Sequence, residues 1–196
     1  MMRRRRFVAL PFLPVLAASG CGIGREVVLE PAPGTGWVPP LVEPLPLRLS
    51  YVFEPSVDQE VTFRAGPTSQ PTGIYHLRLG PATRAIFERT LPALVTDARA
   101  GTPVPGEDGS LVIALLRAHA TDLPEIAASV GYGITFHDPD GADIGTWKLS
   151  GSSIEGDTAE GALARALRNS TAELVRLFPV QPAIVGWLAA GREATS

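Results

Sequence analysis

The residues His137-Asp138-Pro139-Asp140-Gly141-Ala142-Asp143 form the densest group of potential ligands in this 196-residue chain. Oxygen donors at Asp138, Asp140 and Asp143 around a glycine have the look of the opening of a calcium loop. Such a loop needs a bidentate glutamate at its twelfth position. Counted from Asp138, that position is Leu149, so the cation would lack its main ligand. A hairpin turn wants the same Asp, Pro and Gly for backbone reasons alone, and the segment reads as a turn. His76, His119 and His137 are far apart with no His-x-x-x-His spacing, so zinc has no ligand set. Gly151-Ser152-Ser153-Ile154-Glu155-Gly156 has its glycines at the wrong spacing for the nucleophile elbow of a serine hydrolase. Gly131-Tyr132-Gly133 falls inside a strand pattern, where glycine marks a bulge or close packing rather than a phosphate loop. No catalytic, metal or cofactor-binding residue is assigned, and no cofactor is expected.

What chemistry remains is in the only cysteine, Cys21. Before it, Arg3 to Arg6 form a positive n-region, and Phe7 to Ala18 form an apolar stretch. That stretch is too short to cross about 30 Å of hydrocarbon as a helix, and Pro11 and Pro14 weaken it further. Small residues then run into the cysteine, so the segment has the tripartite form of a secretory signal. Ala18-Ser19-Gly20-Cys21 resembles the lipobox of bacterial lipoproteins, with Ala18 where Leu is usual and the nearest Leu at Leu16.

That resemblance implies cleavage before Cys21, diacylation of its thiol and acylation of the new amine. Lipidation at Cys21 would make the bilayer a partner, since two or three acyl chains hold firmly where one does not. It would also remove the thiol from catalysis. Gly22, in place of the Asp that retains enteric lipoproteins in the inner membrane, implies an outer-membrane destination on the periplasmic face. Arg4-Arg5-Arg6-Phe7-Val8 carries only part of a twin-arginine signal. Asn169-Ser170-Thr171 fits a eukaryotic glycosylation acceptor, which has no meaning in such a protein.

Removal of residues 1–20 leaves 176 residues, enough for one domain with a single core. The formal charge of −3 becomes about −7 once the four leader arginines are gone. Nucleic acid is excluded as a partner, because gripping phosphates takes clustered cations. A single cysteine allows no disulfide framework.

Residues 21–44 hold Pro31, Pro33, Pro39, Pro40 and Pro44 without apolar period, and read as a tether. Its reach would be about 25–40 Å. Residues 45–188 are expected to form one domain, and residues 189–196 to fray. Leu45, Leu47, Leu49, Tyr51 and Phe53 alternate with polar or small positions, as in a strand, with Pro46 at its start or on an edge. Residues 54–73 read as a long excursion, and 74–79 as a short strand or lead-in. A first helix opens at Gly80-Pro81 and carries an apolar stripe through Ile86, Leu91, Leu94, Val95 and Ala98, kinked at Pro92. Leu111 to Leu116 reads as a central strand. Residues 130–137 and 145–149 read as two further strands joined by the turn at 138–141. A second helix begins near Asp157 and Glu160, a capping-box pair, and stops at Pro179. The segment from Val180 to Leu188, with Trp187, is apolar enough to dock back.

The expected fold class is α+β: a two-layer sandwich of about four mostly antiparallel strands with two helices on one face, in the order β-α-β-β-β-α. This order resembles small envelope-assembly lipoproteins and auxiliary lipoproteins of ABC-type transport systems. The resemblance implies a non-catalytic accessory that binds another envelope protein or a lipid. The alternative is a periplasmic enzyme acting on a cell-wall or envelope substrate, which predicts a deep pocket with His119 or His137 beside Asp143.

Overall fold

The computed structural model describes residues 25–31, 43–65, 73–121, 125–154 and 158–193. Among them are eight strands in two sheets and three α-helices. The strands are β1 (Arg25–Leu29), β2 (Leu45–Phe53), β3 (Val61–Ala65), β4 (Gly73–Leu77), β5 (Val95–Ala100), β6 (Gly109–Thr121), β7 (Ala127–His137) and β8 (Asp143–Ser153). The helices are α1 (Gly80–Thr90), α2 (Ala159–Leu177) and α3 (Pro182–Glu193). A five-stranded sheet has the order β5-β2-β6-β7-β8, and a three-stranded sheet the order β1-β4-β3.

The α+β class holds, but "about four strands" understates the sheet content by half. The pairing also differs from the expected mostly antiparallel one. β1–β4, β2–β5 and β2–β6 are parallel, while β3–β4, β6–β7 and β7–β8 are antiparallel.

Each missed strand has a local reason. β1 lies inside the segment read as tether: Arg-Glu-Val-Val-Leu is only five residues long and is followed by a Pro-rich run that dominates the composition. β3 lies in the stretch read as an excursion. β5 was read as the end of the first helix. Pro92 lacks an N–H and crowds the carbonyl four residues before it, so α1 stops at Thr90 and a 3-10 turn covers Leu91–Ala93. The β-branched pair Val95-Thr96 then continues as a strand beside β2. Pro46 sits near the start of β2, where the β2–β5 register shifts between Leu45 and Arg48 and before β6 joins at Leu49.

One face of the five-stranded sheet is apolar and covered. Leu47, Leu49 and Tyr51 of β2, Leu111, Ile113 and Leu115 of β6, Val130, Tyr132, Ile134 and Phe136 of β7, and Trp147 and Leu149 of β8 are buried there. Helix α2 presents Leu163, Leu167, Ser170, Thr171 and Leu174 to it, and α1 presents Ala82, Ile86 and Phe87. Each of the Leu, Ile, Val and Phe side chains taken fully from water contributes about 1.5–3 kcal/mol before entropy is charged against it.

A polar bond crosses this core from α1 to β7, between Thr83 Oγ1 and Tyr132 Oη at 2.8 Å. Burial pushes the Tyr132 phenol far up, more than the Thr83 bond lowers it, so it stays a neutral hydroxyl. The N-cap of α2 is Thr158, whose hydroxyl accepts from Gly161 N–H at 3.0 Å; Asp157 lies outside the described residues. Helix α3 docks as the apolar tail implied, with Ile184 buried and Trp187 edge-on to Phe136 at 6.2 Å.

Candidate functional site

The opposite face of the five-stranded sheet carries no helix among the described residues, and its centre is shaped by one irregularity. Between Leu115 and Arg117 the β6–β7 register shifts, so Leu116 is an extra residue with no partner on β7. A β-bulge of this kind re-aims side chains. Here it sends two consecutive ones, Leu116 and Arg117, to the same open face.

Both need room, and the glycines of β7 supply it. A Cβ on Gly131 would lie 2.9 Å from Arg117 Cγ, and one on Gly133 would lie 3.4 Å from the Leu116 side chain. The Arg117 stem therefore lies flat over Gly131, and Leu116 covers Gly133 while remaining 51% exposed. On β8, Lys148 stands opposite Gly133 and Ser150 opposite Gly131. Leu116, Arg117, Gly131, Lys148, Leu149 and Ser150 line a groove of about 340 Å³. Below it, the Thr135 and Thr146 hydroxyls meet at 3.0 Å. Neither Arg117 nor Lys148 has a hydrogen-bond or ion-pair partner among the described residues. Two free cations and an exposed leucine thus share one face of an acidic protein.

The β8 edge is managed unevenly. Glu173 on α2 accepts the Ser150 N–H, and Asn169 Nδ2 donates to Ser152 O at 2.7 Å. These side chains cap outward backbone groups that would otherwise template another strand. Residues two apart on a strand point their backbone groups the same way, so Thr146 and Lys148 also face outward. No helix side chain caps those two among the described residues.

The three histidines, which have no ligand spacing in the sequence, occupy three separate places. His119 packs on the Phe63 ring at 4.4 Å. His137 stands in register with Asp143, yet its buried Nδ1 has no hydrogen-bond partner among the described residues. His76 Nδ1 lies 2.6 Å from Glu60 Oε1 and 3.3 Å from Thr62 Oγ1. No histidine lines the groove at Leu116, a cleft at Pro103 to Gly109 with Pro139, or a cleft at Ser152 to Ile154 with Arg165 and Asn169. Asp138 Oδ1 accepts from Asp140 N–H at 3.0 Å and Ala142 N–H at 2.8 Å, and Gly141 takes the positive φ of 86° that closes the turn. Among the described residues, no three His, Cys, Asp or Glu side chains gather as metal ligands. Ser152 and Ser153 end β8 and sit on no strand-to-helix elbow.

One charged network escaped the sequence reading because its members lie on three short strand ends. Glu60 joins His76 and Arg78, with Arg78 Nε 2.9 Å from Glu60 Oε2, and Arg78 also donates to Glu30 at 3.2 Å. The Arg78 and His76 hydrogen bonds hold the Glu60 carboxyl below its usual range. This network ties the end of β1 to β4 and to the start of β3.

Cys21 lies outside the described residues. No helix among those described is long and apolar enough to cross a membrane.

No family model matches the chain, and no curated protein matches it in sequence. Several solved bacterial proteins have a similar architecture. A Xanthomonas campestris protein of family DUF330 is 15% identical, with 86% of this chain and 99% of that one covered at a TM-score of 0.49. PelC from Paraburkholderia phytofirmans, solved as a dodecamer, is 17% identical over 71% of this chain and 91% of its own, at 0.43. A minor lipoprotein from Acinetobacter baumannii is 13% identical over 69% and 91%, at 0.33. These values are too low to bear on what this chain binds or does.

Proposed function

We propose that this chain is a bacterial lipoprotein, held by acyl chains on Cys21 to the periplasmic face of the outer membrane. There it serves as a non-catalytic accessory. Its open sheet face binds an acidic segment of another envelope protein. The lipobox-like run before Cys21 supports the anchor, and Gly22 supports the outer-membrane address. The bulge that aims Leu116 and Arg117 onto one face beside Lys148 carries the binding assignment. Its mix of apolar and cationic groups suits an interface with a hydrophobic centre and charge complementarity.

The test has two parts. Replacement Cys21→Ser should move the protein from the membrane to the soluble periplasmic fraction. A photo-crosslinking residue at Leu116 in cells should give a discrete protein adduct that the pair Arg117→Glu and Lys148→Glu abolishes. The same probe at Glu88, on the helical layer, should give none. An adduct indifferent to charge reversal, or one equally strong from Glu88, refutes the assignment of this face. Capture of lipid alone refutes a protein partner.

A further inference from the structure

We infer that the Arg25 end of the three-stranded sheet rests directly on the lipid headgroups of the membrane that holds Cys21. The inference rests on acylation of Cys21 as proposed above and adds where and how closely the domain meets the bilayer. The first residue of β1 is Arg25, four residues beyond Cys21. Four residues span at most about 14 Å even when fully extended. A leash that short, fixed at one end by acyl chains in the bilayer, leaves the domain no freedom to swing on a long arm.

The leash is short only if β1 belongs firmly to the domain, and five contacts show that it does. All five β1 residues pair in parallel with Gly73 to Leu77 of β4. Leu29 is buried in the core and Val27 packs against it. Arg78 N–H donates to Leu29 O at 3.0 Å, and the Arg78 guanidinium bonds Glu30. Glu30 N–H reaches Glu160 on α2 at 3.4 Å. Pull on the lipid is therefore carried through β1 into the sheet and helix layer rather than into a loose tail.

The register also identifies the surface that meets the headgroups. Arg25 pairs with Gly73, and Gly73 with Ala65, so the starts of β1 and β4 and the end of β3 lie side by side. The leash ends in acyl chains within the bilayer, so the surface that this end meets is that of the phospholipids.

The experiment uses the full lipidated protein in vesicles of phosphatidylethanolamine and phosphatidylglycerol. Acylation blocks the only native thiol, so a single introduced cysteine can be labelled with a fluorophore. A label at Glu26→Cys should be quenched strongly by headgroup-attached nitroxide lipid. A label at Asp140→Cys, in the β7–β8 turn, should be quenched several-fold less. Insertion of twelve Gly and Ser residues between Ile23 and Gly24 should reduce the Glu26 quenching at least two-fold. Mass spectrometry of the same samples reports whether Cys21 carries acyl chains. Acylated, vesicle-bound protein whose Glu26 label is unquenched, is unaffected by the insertion, or matches Asp140 overturns the inference and leaves the anchor intact. Protein without acyl chains on Cys21 overturns both.

Discussion

Gly151→Ala should be among the costliest single-methyl changes in the molecule. Gly151 pairs with Val130 and faces α2. A Cβ there would sit 1.9 Å from Ala166 O and 2.5 Å from Ser170 N. Both are backbone atoms of the helix, so no rotamer change can relieve the overlap. Ordinary contact begins near 3.4 Å, so α2 and β8 must separate by about 1.5 Å. That displacement loosens Leu163, Leu167 and Leu174 from the sheet together. It also draws Asn169 and Glu173 away from the β8 edge that they cap. Overpacking of this kind costs about 1–3 kcal/mol, and rigid backbone on both sides places this site at the top of that range. For a domain of this size, about 3 kcal/mol corresponds to a fall in Tm of roughly 6–12 °C. The assay is thermal and urea unfolding of the Cys21→Ser protein, followed by far-UV circular dichroism and by tryptophan fluorescence, to which the buried Trp147, 6.1 Å from Phe178, contributes. Gly186→Ala, with nothing within 4 Å of the added methyl, is the control and should be neutral or slightly stabilising. A Gly151→Ala protein that melts within about 1 °C of its parent would refute the close α2–β8 approach.

Two further outcomes follow from polar groups. Tyr132→Phe leaves the buried Thr83 hydroxyl without its partner and should cost about 1–3 kcal/mol; adding Thr83→Val should return part of that loss, with a coupling above about 0.5 kcal/mol in a urea-unfolding cycle. Glu60 and Glu107 both have carboxyls held below their usual range. For Glu60 the Arg78 and His76 bonds do this, and for Glu107 burial pushes upward but the Val104 N–H and Arg99 more than offset it. A depressed carboxyl stabilises the fold above its unfolded pKa and loses that contribution as pH falls through its folded value. The urea midpoint should therefore decline as pH drops below about 4, and the paired change Glu60→Gln and Glu107→Gln should flatten that decline; an unchanged slope refutes the assignment.

The sequence was legible where one face of an element had to be buried. The alternation in β2 and the hairpin of β7 and β8 came from the period of two, and α2 from its 3.6-residue stripe ended by Pro179. The turn at Asp138 to Gly141 was readable because its residue types are needed for backbone geometry. Legibility failed for β1, β3 and β5, each five or six residues long; β1 and β5 pair in parallel with strands distant in sequence, and β3 is an edge strand on β4. Nothing local marks Arg-Glu-Val-Val-Leu as the partner of residues nearly fifty positions on. The bulge at Leu116 was not foreseen, because a register shift exists only between two strands. Gly131 and Gly133 were the available signal. Glycines alternating with large residues in a central strand say that something lies across them.

The bulge and the leash also bear on one another through β6. Arg117 is two residues from His119, which packs on Phe63 of β3, and β3 is two strands from β1. With Cys21 anchored as proposed, adding strand rises, strand spacings and an extended leash would put the cationic groove no more than about 50 Å from the bilayer. The tether expected from the Pro-rich composition would have let this face sweep far into the periplasm. With β1 in the sheet, that run of prolines follows the first strand in sequence rather than preceding the whole domain, and adds nothing to the reach. If Cys21 is acylated as proposed, a partner that uses the groove must come close to the membrane itself, and the anchor would then select among acidic envelope proteins by height as well as by charge.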